Sequence, residues 1–263
     1  MSSGTVQYKS EEEIGLIRQS SLLVGKTLAE VARHIRPGAT TRSLDKVAEH
    51  FIRDHGAVPG FLGYGGFPAT LCISVNEQVV HGIPGDRELR EGDLVSVDCG
   101  VLMNGYYGDS AFSFPVGELK EEVRLLMERT REALELGIAA ASAGNRMGDI
   151  GYAVQSHVER YGYSVVRELI GHGLGRNLHE KPDVPNYGRQ GSGMKLKEGM
   201  VICIEPMVNL GSRTVVQERD GWTIRTLDRQ PSAHFEHAVA IREGKAEVLS
   251  TFEFIDEVLK SRT

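Results

Sequence analysis

Residues 94–114 read LVSVDCGVLMNGYYGDSAFSF, and this stretch decides the fold. Two apolar runs flank Asn104-Gly105, and this dipeptide is the strongest short signal for a two-residue β-hairpin turn. The pattern therefore predicts two antiparallel strands joined by that turn. Counting back from the turn, we expect Asp98 to pair with Ala111.

Two acids lie on one face of the predicted hairpin. Asp109 is two residues from Ala111, so it shares the face of Asp98, with Cα atoms about 7 Å apart. A carboxylate in an apolar strand needs a partner, because its removal from water is costly. Two like charges placed this close repel each other unless a cation lies between them. For Asp109 alone, an exposed acid near the hairpin tip is an equally good interpretation.

Helical patterns precede and follow the hairpin. Ser10 and Glu13 form a capping-box signature, after which apolar residues recur at gaps of three and four until Pro37-Gly38. This pattern predicts a long amphipathic helix. Further helices are predicted over 41–55, 118–143, 149–161 and 252–259, and a short strand over 71–75.

The sequence repeats itself once. Residues 37–56 align with residues 143–162 at an offset of 106, and an H-x-x-P motif begins at His81 in the first copy and at His179 in the second. Such a repeat predicts two similar halves that share one sheet and one central site. The prediction is a single catalytic domain, residues 1–263, with halves at approximately 10–115 and 116–250.

The second half supplies further acids and a histidine. Glu205 ends the strand MVICIE at the position that Asp98 occupies in the first half, and Glu236 lies within HFEHAVAI, interpreted as another strand. His172 stands between glycines that let the backbone approach closely. Each of these residues taken alone could be structural. Four other histidines are interpreted as packed or surface residues: His34, His50, His55 and His157.

Four carboxylates and one imidazole form an oxygen-rich set of donors. Such a set suits Mn, Fe(II) or Co better than a structural zinc, which prefers thiolates. Shared carboxylates can hold two ions about 3.5–4 Å apart. The sequence therefore predicts a site that holds multiple positive charge.

Composition argues against several classes of function. The net charge is −6 and there is no basic block, so nucleic acid is not expected as a substrate. No apolar run approaches the roughly 20 residues of a membrane-spanning helix, and the first residues lack the features of a signal peptide. Cys72, Cys99 and Cys203 stand in apolar contexts that favour reduced, packed thiols. We expect a cytoplasmic protein that does not bind membranes.

The motifs around these residues resemble those of the type I methionine aminopeptidases, which are metallopeptidases of the pita-bread fold. They are CISVNEQVVHGIP at 72–84, VDCG followed by a second aspartate, GHGLGR, IEP and FEH. The resemblance reaches from the first helix to about Val248. It implies an α+β fold in which two pseudo-two-fold-related helix-helix-strand halves share a curved, mostly antiparallel sheet. It also places the metal ligands of the family on Asp98, Asp109, His172, Glu205 and Glu236.

The resemblance implies an enzyme that uses two divalent ions (Co, Mn, Fe(II) or Zn) to remove the initiator methionine from nascent polypeptides, preferably before a small second residue. A hydroxide bridging the ions would attack the first peptide carbonyl, Glu205 would carry the proton, and His81 and His179 would contact the substrate. A monomer in transient contact with ribosomes would fit that role. The methionine pocket would be lined by Tyr64, Phe67, Cys72 and Trp222, with Phe61 and Leu178 nearby.

This chain departs from the family pattern at three positions. Phe61 stands where many members have cysteine, Leu178 where many have phenylalanine, and Ala238 where threonine is common; the first two could reshape the pocket. Two other functions stay open: a proline-specific or broad aminopeptidase on the same fold, and a metal-free binding protein descended from it. The start, Met1-Ser2, is itself predicted to be a substrate.

Overall fold

The computed structural model describes residues 5–261, so the predicted processing of Met1-Ser2 lies outside the described residues. Among residues 5–261, no helix is both long enough and apolar enough to cross a membrane. The α-helices are α1 Glu11–His34, α2 Thr41–Asp54, α3 Glu121–Ala140, α4 Met147–Glu159 and α5 Glu253–Lys260. The strands are β1 Val58–Pro59, β2 Leu71–Val75, β3 Gln78–Val80, β4 Leu94–Met103, β5 Tyr106–Pro115, β6 Ser164–Val165, β7 Gly171–Gly173, β8 Glu180–Val184, β9 Val201–Ile204, β10 Met207–Asn209, β11 Val215–Gln217, β12 Ile224–Thr226, β13 Ser232–His234, β14 His237–Ala240 and β15 Glu247–Val248.

The hairpin predicted from Asn104-Gly105 is confirmed. Strands β4 and β5 pair along their whole length, with Asp98 opposite Ala111. Both turn residues have left-handed backbones, with φ of 53° at Asn104 and 78° at Gly105, as a type I′ turn requires. Strand β2 lies on the other side of β4 and pairs Cys72 with Asp98.

Helix α1 covers one face of this hairpin. Its capping box is present, because Ser10 Oγ accepts from the Glu13 N–H and the Glu13 carboxylate accepts from the Ser10 N–H. The helix packs on β4 and β5, with α2 and α5 beside it, and its stripe residues Val24 and Leu28 are fully buried. Burying one such side chain contributes about 1.5–3 kcal/mol, so this stripe determines which side of α1 meets the sheet.

Helices α3 and α4 pack against each other in the second half of the chain. Helix α3 is shorter than predicted at both ends. The backbone of Lys120 is extended (ψ 144°) and that of Ala141 leaves the helical region (ψ 51°), so the hydrogen-bonded turns begin after Lys120 and stop before Ala141. The periodic apolar pattern continues past these residues and could not reveal either boundary.

The strands form antiparallel sheets that meet between the two halves. Their orders are β1-β4-β2 with β5 on β4, β13-β10-β6, β11-β12-β3 and β15-β14-β9-β7-β8. The halves are joined where β12 pairs with β3, and again where the chain leaves β13. There the Glu236 N–H donates to the Ala111 carbonyl at 2.9 Å, and Ser113 Oγ donates to the His234 carbonyl at 2.8 Å. These bonds connect the hairpin sheet to the strands of the second half.

Segments that align in the sequence make matching contacts. The Gly38 N–H donates to the Leu89 carbonyl at 2.8 Å, and the Gly144 N–H donates to the Leu196 carbonyl at 3.0 Å. An isolated β-bridge follows two residues after each of these glycines. The single domain of two related halves stays a prediction, and these contacts support it.

Candidate metal centre and substrate pocket

Asp98 and Asp109 occupy one face of the β4-β5 hairpin. Asp98 is opposite Ala111 and Asp109 is opposite Gly100, so the two acids are diagonal neighbours, as the turn predicts. Asp109 is only 3% exposed. That burial excludes the alternative interpretation of Asp109 as an exposed acid near the hairpin tip.

Glu205 and Glu236 reach the hairpin acids from the second half. Glu205 follows β9 directly, and its carbonyl oxygen accepts a 2.9 Å hydrogen bond from the Asn186 side-chain amide. The prediction that Glu236 lies within a strand is wrong, because it lies in the break between β13 and β14. The chain changes partner at that break, from β10 to β9. As a result, a carboxylate oxygen of Glu236 lies within 4.8 Å of one of Asp98.

His172, in β7, lies between acids of both halves. Its Nδ1 is 3.0 Å from the Gly173 carbonyl, which can only accept, so Nδ1 carries the proton and Nε2 is free to bind a metal. Nε2 lies 3.5 Å from Oε1 of Glu205 and 3.8 Å from Oδ2 of Asp109. Burial and the nearby His179 lower the pKa of His172 to about 3, so the ring is neutral at physiological pH.

Protein groups alone do not satisfy these four acids. Each has a buried oxygen without a hydrogen-bond partner: Oδ1 of Asp98, Oδ1 of Asp109, Oε1 of Glu205 and Oε1 of Glu236. Burial raises the pKa of Asp98 to about 7, and burial followed by neighbouring carboxylates raises the pKa of each of the other three. Ionised acids packed this closely need compensating positive charge. The orphaned oxygens therefore fit divalent cations, which take carboxylate ligands readily.

Two overlapping groups of donor atoms have the dimensions of metal sites, with atoms within 4.8 Å of one another. They are Asp109, His172, Cys203 and Glu236, and Asp98, His234 and Glu236. The sequence analysis did not predict that Cys203 and His234 belong to these groups of donor atoms. Each stands two residues before an acid of the site. Because side chains two residues apart in an extended chain point to the same side, this spacing is the signal that could have identified them. The three cysteines are buried free thiols, as predicted.

A pocket of about 180 Å³ opens onto the acids. Every site residue predicted from the sequence lines it: Phe61, Tyr64, Phe67, Cys72, His81, Asp98, Asp109, His172, Leu178, His179, Glu205, Trp222 and Glu236. The rings of Phe67 and Trp222 meet edge to face at 5.1 Å. Gly65 also lines the pocket; it lies in a single 3₁₀ turn, and its glycine-rich context indicated only a loop.

Two further histidines face this pocket. His179 Nδ1 lies 2.8 Å from the Tyr64 hydroxyl, and its ring centroid is 4.2 Å from that of His172. Burial lowers the pKa of His179, and burial followed by His179 lowers the pKa of His81 to about 4. Both rings are therefore largely neutral near pH 7. If the Tyr64 hydroxyl donates to Nδ1, Nε2 of His179 carries a proton and can donate to a substrate oxygen.

Comparison with known proteins identifies the family. A profile described as metallopeptidase family M24 matches residues 15–243. The chain belongs to metallopeptidase family M24. A relative in this family, the methionine aminopeptidase of Clostridium perfringens, is 51% identical over 92% of this chain and 97% of its own length. A methionine aminopeptidase structure from Thermotoga maritima superposes with a TM-score of 0.92 at 42% identity, covering 94% of this chain and 100% of that one.

The likeness to prolidase is weaker. Prolidase from Pyrococcus furiosus has a TM-score of 0.76 at 25% identity, and the match covers 94% of this chain but 66% of the prolidase. The resemblance to methionine aminopeptidases and the α+β pita-bread fold, both predicted from the sequence, are thus confirmed.

Proposed function

We propose that this M24 peptidase removes the N-terminal initiator methionine from nascent polypeptides, preferably when the second residue is small. The observation that carries the proposal is one pocket that joins five convergent metal donors to a wall of aromatic and thiol side chains. A thioether packs well against such a polarisable wall. The match to methionine aminopeptidases over nearly their whole length also supports this function over that of a prolidase.

The proposed cofactor is a pair of divalent ions held by Asp98, Asp109, His172, Glu205 and Glu236. When ionised, the carboxylates carry four negative charges, which two divalent ions balance and one does not. Glu236 belongs to both groups of donors, so it would contribute to holding both ions. The oxygen-rich set favours Mn, Fe(II) or Co, and zinc also accepts these ligands.

Bound divalent ions lower the pKa of water towards about 7 and polarise a peptide carbonyl. The residues of the chain would orient the substrate and move protons. Glu205, which lines the pocket with Oε1 3.5 Å from Nε2 of His172, would take a proton from the attacking water and pass it to the leaving amine. His179 would donate to the oxygen on which negative charge develops, and His81 would contact the amide of the second residue.

By the same proposal, the enzyme meets its substrate in the cytoplasm during transient contact with ribosomes. It would act as a monomer, and one chain supplies every residue that lines the pocket. We propose one catalytic domain of two related halves that hold the ions between them. This arrangement explains why both halves contribute acids to the site.

Substrate preference tests the proposal directly. We expect kcat/KM for Met-Ala-Ser to exceed that for Leu-Ala-Ser by about tenfold or more, because the pocket wall suits an unbranched thioether. Peptides that begin Xaa-Pro should be cleaved much more slowly. The assay compares metal-stripped protein with protein given Mn, Fe(II) or Co. Equal rates on Met and Leu peptides would indicate a broad aminopeptidase, and purified protein that binds no divalent ion would indicate a binding protein.

His179→Ala is expected to lower kcat on Met-Ala-Ser by about 100-fold, the usual loss when one donor to a developing oxyanion is removed. Because His179 is not among the proposed ligands, the metal content per chain should not change. Steady-state kinetics and elemental analysis measure the two quantities. Tyr64→Phe, which removes only the 2.8 Å contact to the ring, should cost less. Loss of metal in His179→Ala would show that this histidine supports the metal centre instead.

A further inference from the structure

A second cleft continues from the catalytic pocket towards the N-terminal segment. Its volume is about 390 Å³, and it shares Tyr64, Leu178 and His179 with the catalytic pocket. Beyond these residues the lining consists of Tyr107 and five polar residues: Thr5, Gln7, Asn177, Glu180 and Lys181. One wall is therefore the segment that holds Thr5 and Gln7, and the other is formed by residues 177–181, at the end of the loop after β7 and the start of β8.

A buried ion pair joins the two walls. Lys9 Nζ lies 2.5 Å from Oε2 of Glu180, and their side chains are only 6% and 9% exposed. The other oxygen of Glu180 accepts from the Asn177 N–H at 3.0 Å. A Cβ at Gly175 would lie 2.6 Å from Lys9 Cε and 2.7 Å from Glu180 Oε1, so the absence of a side chain there leaves room for the pair.

The backbone of Lys9 is also anchored. Its N–H donates to the Gly199 carbonyl at 2.7 Å, in the turn before β9, and β9 leads to Glu205. The segment therefore contacts two parts of the second half before the chain enters α1. Removing the Lys9 charge would leave Glu180 buried without its partner, one residue from His179.

We propose that this cleft binds the substrate polypeptide beyond its second residue, and that the Lys9–Glu180 pair holds its two walls together. The inference rests on the proposed function, because His179, which is proposed there to contact the first peptide group, lines both the pocket and the cleft, so the chain that follows this group can enter the cleft. The cleft begins at that histidine.

The chemistry of the cleft suits a neutral peptide backbone. Its two charged lining residues are already paired, Glu180 with Lys9 and Lys181 with Asp183 at 2.8 Å. The side-chain amides of Gln7 and Asn177 both donate and accept, as backbone N–H and C=O groups require. Every polypeptide has these groups, so the cleft adds affinity without selecting a sequence. That property fits an enzyme whose substrates share only their first residue.

The test compares Met-Ala-Ser with the longer peptide Met-Ala-Ser-Gly-Thr on the metal-loaded, full-length enzyme. We expect KM to be about tenfold lower for the longer peptide, with kcat within about twofold, because a few backbone hydrogen bonds supply a factor of this size. In the double variant Gln7→Ala/Asn177→Ala, the ratio of the two KM values should fall to about 1–2. Gln190→Ala, an exposed amide outside the cleft, should keep the wild-type ratio.

Substitutions at Lys9 and Glu180 test whether their ion pair holds the two walls of the cleft together. Lys9→Met should also lower the KM ratio, and Lys9→Met/Glu180→Gln should restore much of it, because no unpaired charge is then buried. Circular dichroism and metal titration confirm that each variant folds and binds ions. If Lys9→Met fails to fold, rescue of the fold by Glu180→Gln supports the pairing, and failure of that rescue overturns it.

The outcomes separate the two proposals. If the wild type does not cleave Met-Ala-Ser with any ion, the proposed function fails. If it cleaves both peptides with equal KM, or if Gln7→Ala/Asn177→Ala keeps the wild-type KM ratio, the cleft is not a substrate site although the function stands.

Discussion

Asp109→Asn is expected to lower kcat/KM for Met-Ala-Ser by about 1000-fold, which corresponds to about 4 kcal/mol of transition-state stabilisation. Asp109 is buried, one of its oxygens has no hydrogen-bond partner, and the other lies 3.8 Å from Nε2 of His172. An asparagine of nearly the same shape offers one neutral oxygen in place of a charged carboxylate. The site then has one negative charge fewer to balance its ions.

Metal binding should fall together with activity. Titration calorimetry and elemental analysis of Asp109→Asn are expected to show fewer than two ions per chain at concentrations that saturate the wild type. Asp86→Asn is a suitable control, because it makes the same chemical change in an exposed ion pair with Arg42, where little effect is expected. Unchanged activity in Asp109→Asn would contradict the proposal that this residue is a metal ligand.

Removal of the ions is expected to destabilise the protein, and more so as the pH rises. In the metal-free protein, burial raises the pKa of Asp98 from 3.8 to about 7. Below about pH 4 this acid is protonated in both the folded and the unfolded chain, so it contributes nothing. Between about pH 4 and 7 the unfolded chain releases the proton first, so folding becomes progressively less favourable. Above pH 7 the penalty is constant, on the order of 4 kcal/mol.

The variant Asp98→Asn tests this dependence of stability on pH. In metal-free protein at pH 8, the variant should melt at a temperature about 10 °C above that of the wild type, because it removes the buried charge. The difference should disappear near pH 4. With Mn or Co present the order should reverse, since ions that bind only the folded protein stabilise the wild type and not the variant. Calorimetry of both proteins, stripped and loaded, measures each difference. If metal-free Asp98→Asn were less stable than the metal-free wild type at pH 8, the buried charge of Asp98 would not be what destabilises the metal-free protein.

Local patterns predicted the parts of the fold that depend on neighbouring residues. The Asn104-Gly105 turn and side-chain alternation placed Asp98 opposite Ala111 and put Asp109 on the same face. The capping box correctly marked the start of α1. Both predictions succeed because a two-residue turn and a helix cap are formed within a few residues of chain.

The ends of α3 and the position of Glu236 could not be predicted in this way. Glu236 stands in an apolar segment that resembles a continuous strand, yet the chain changes partner there because β13 pairs with β10 and β14 with β9. The break lets the Glu236 N–H reach the Ala111 carbonyl of the hairpin. Nothing in the local pattern distinguishes a strand that keeps its partner from one that changes it.

From the sequence we could predict the hairpin, the apolar stripe of α1 and the residues proposed to hold metal ions. The tertiary structure was needed to show that Cys203 and His234 lie beside the acids and that Lys9 is buried against Glu180. The physical reason is the distance along the chain. Turns, caps and alternation involve adjacent residues, whereas a contact such as that between Lys9 and Glu180, 171 positions apart, forms only after distant parts of the chain pack together and exclude water from between them.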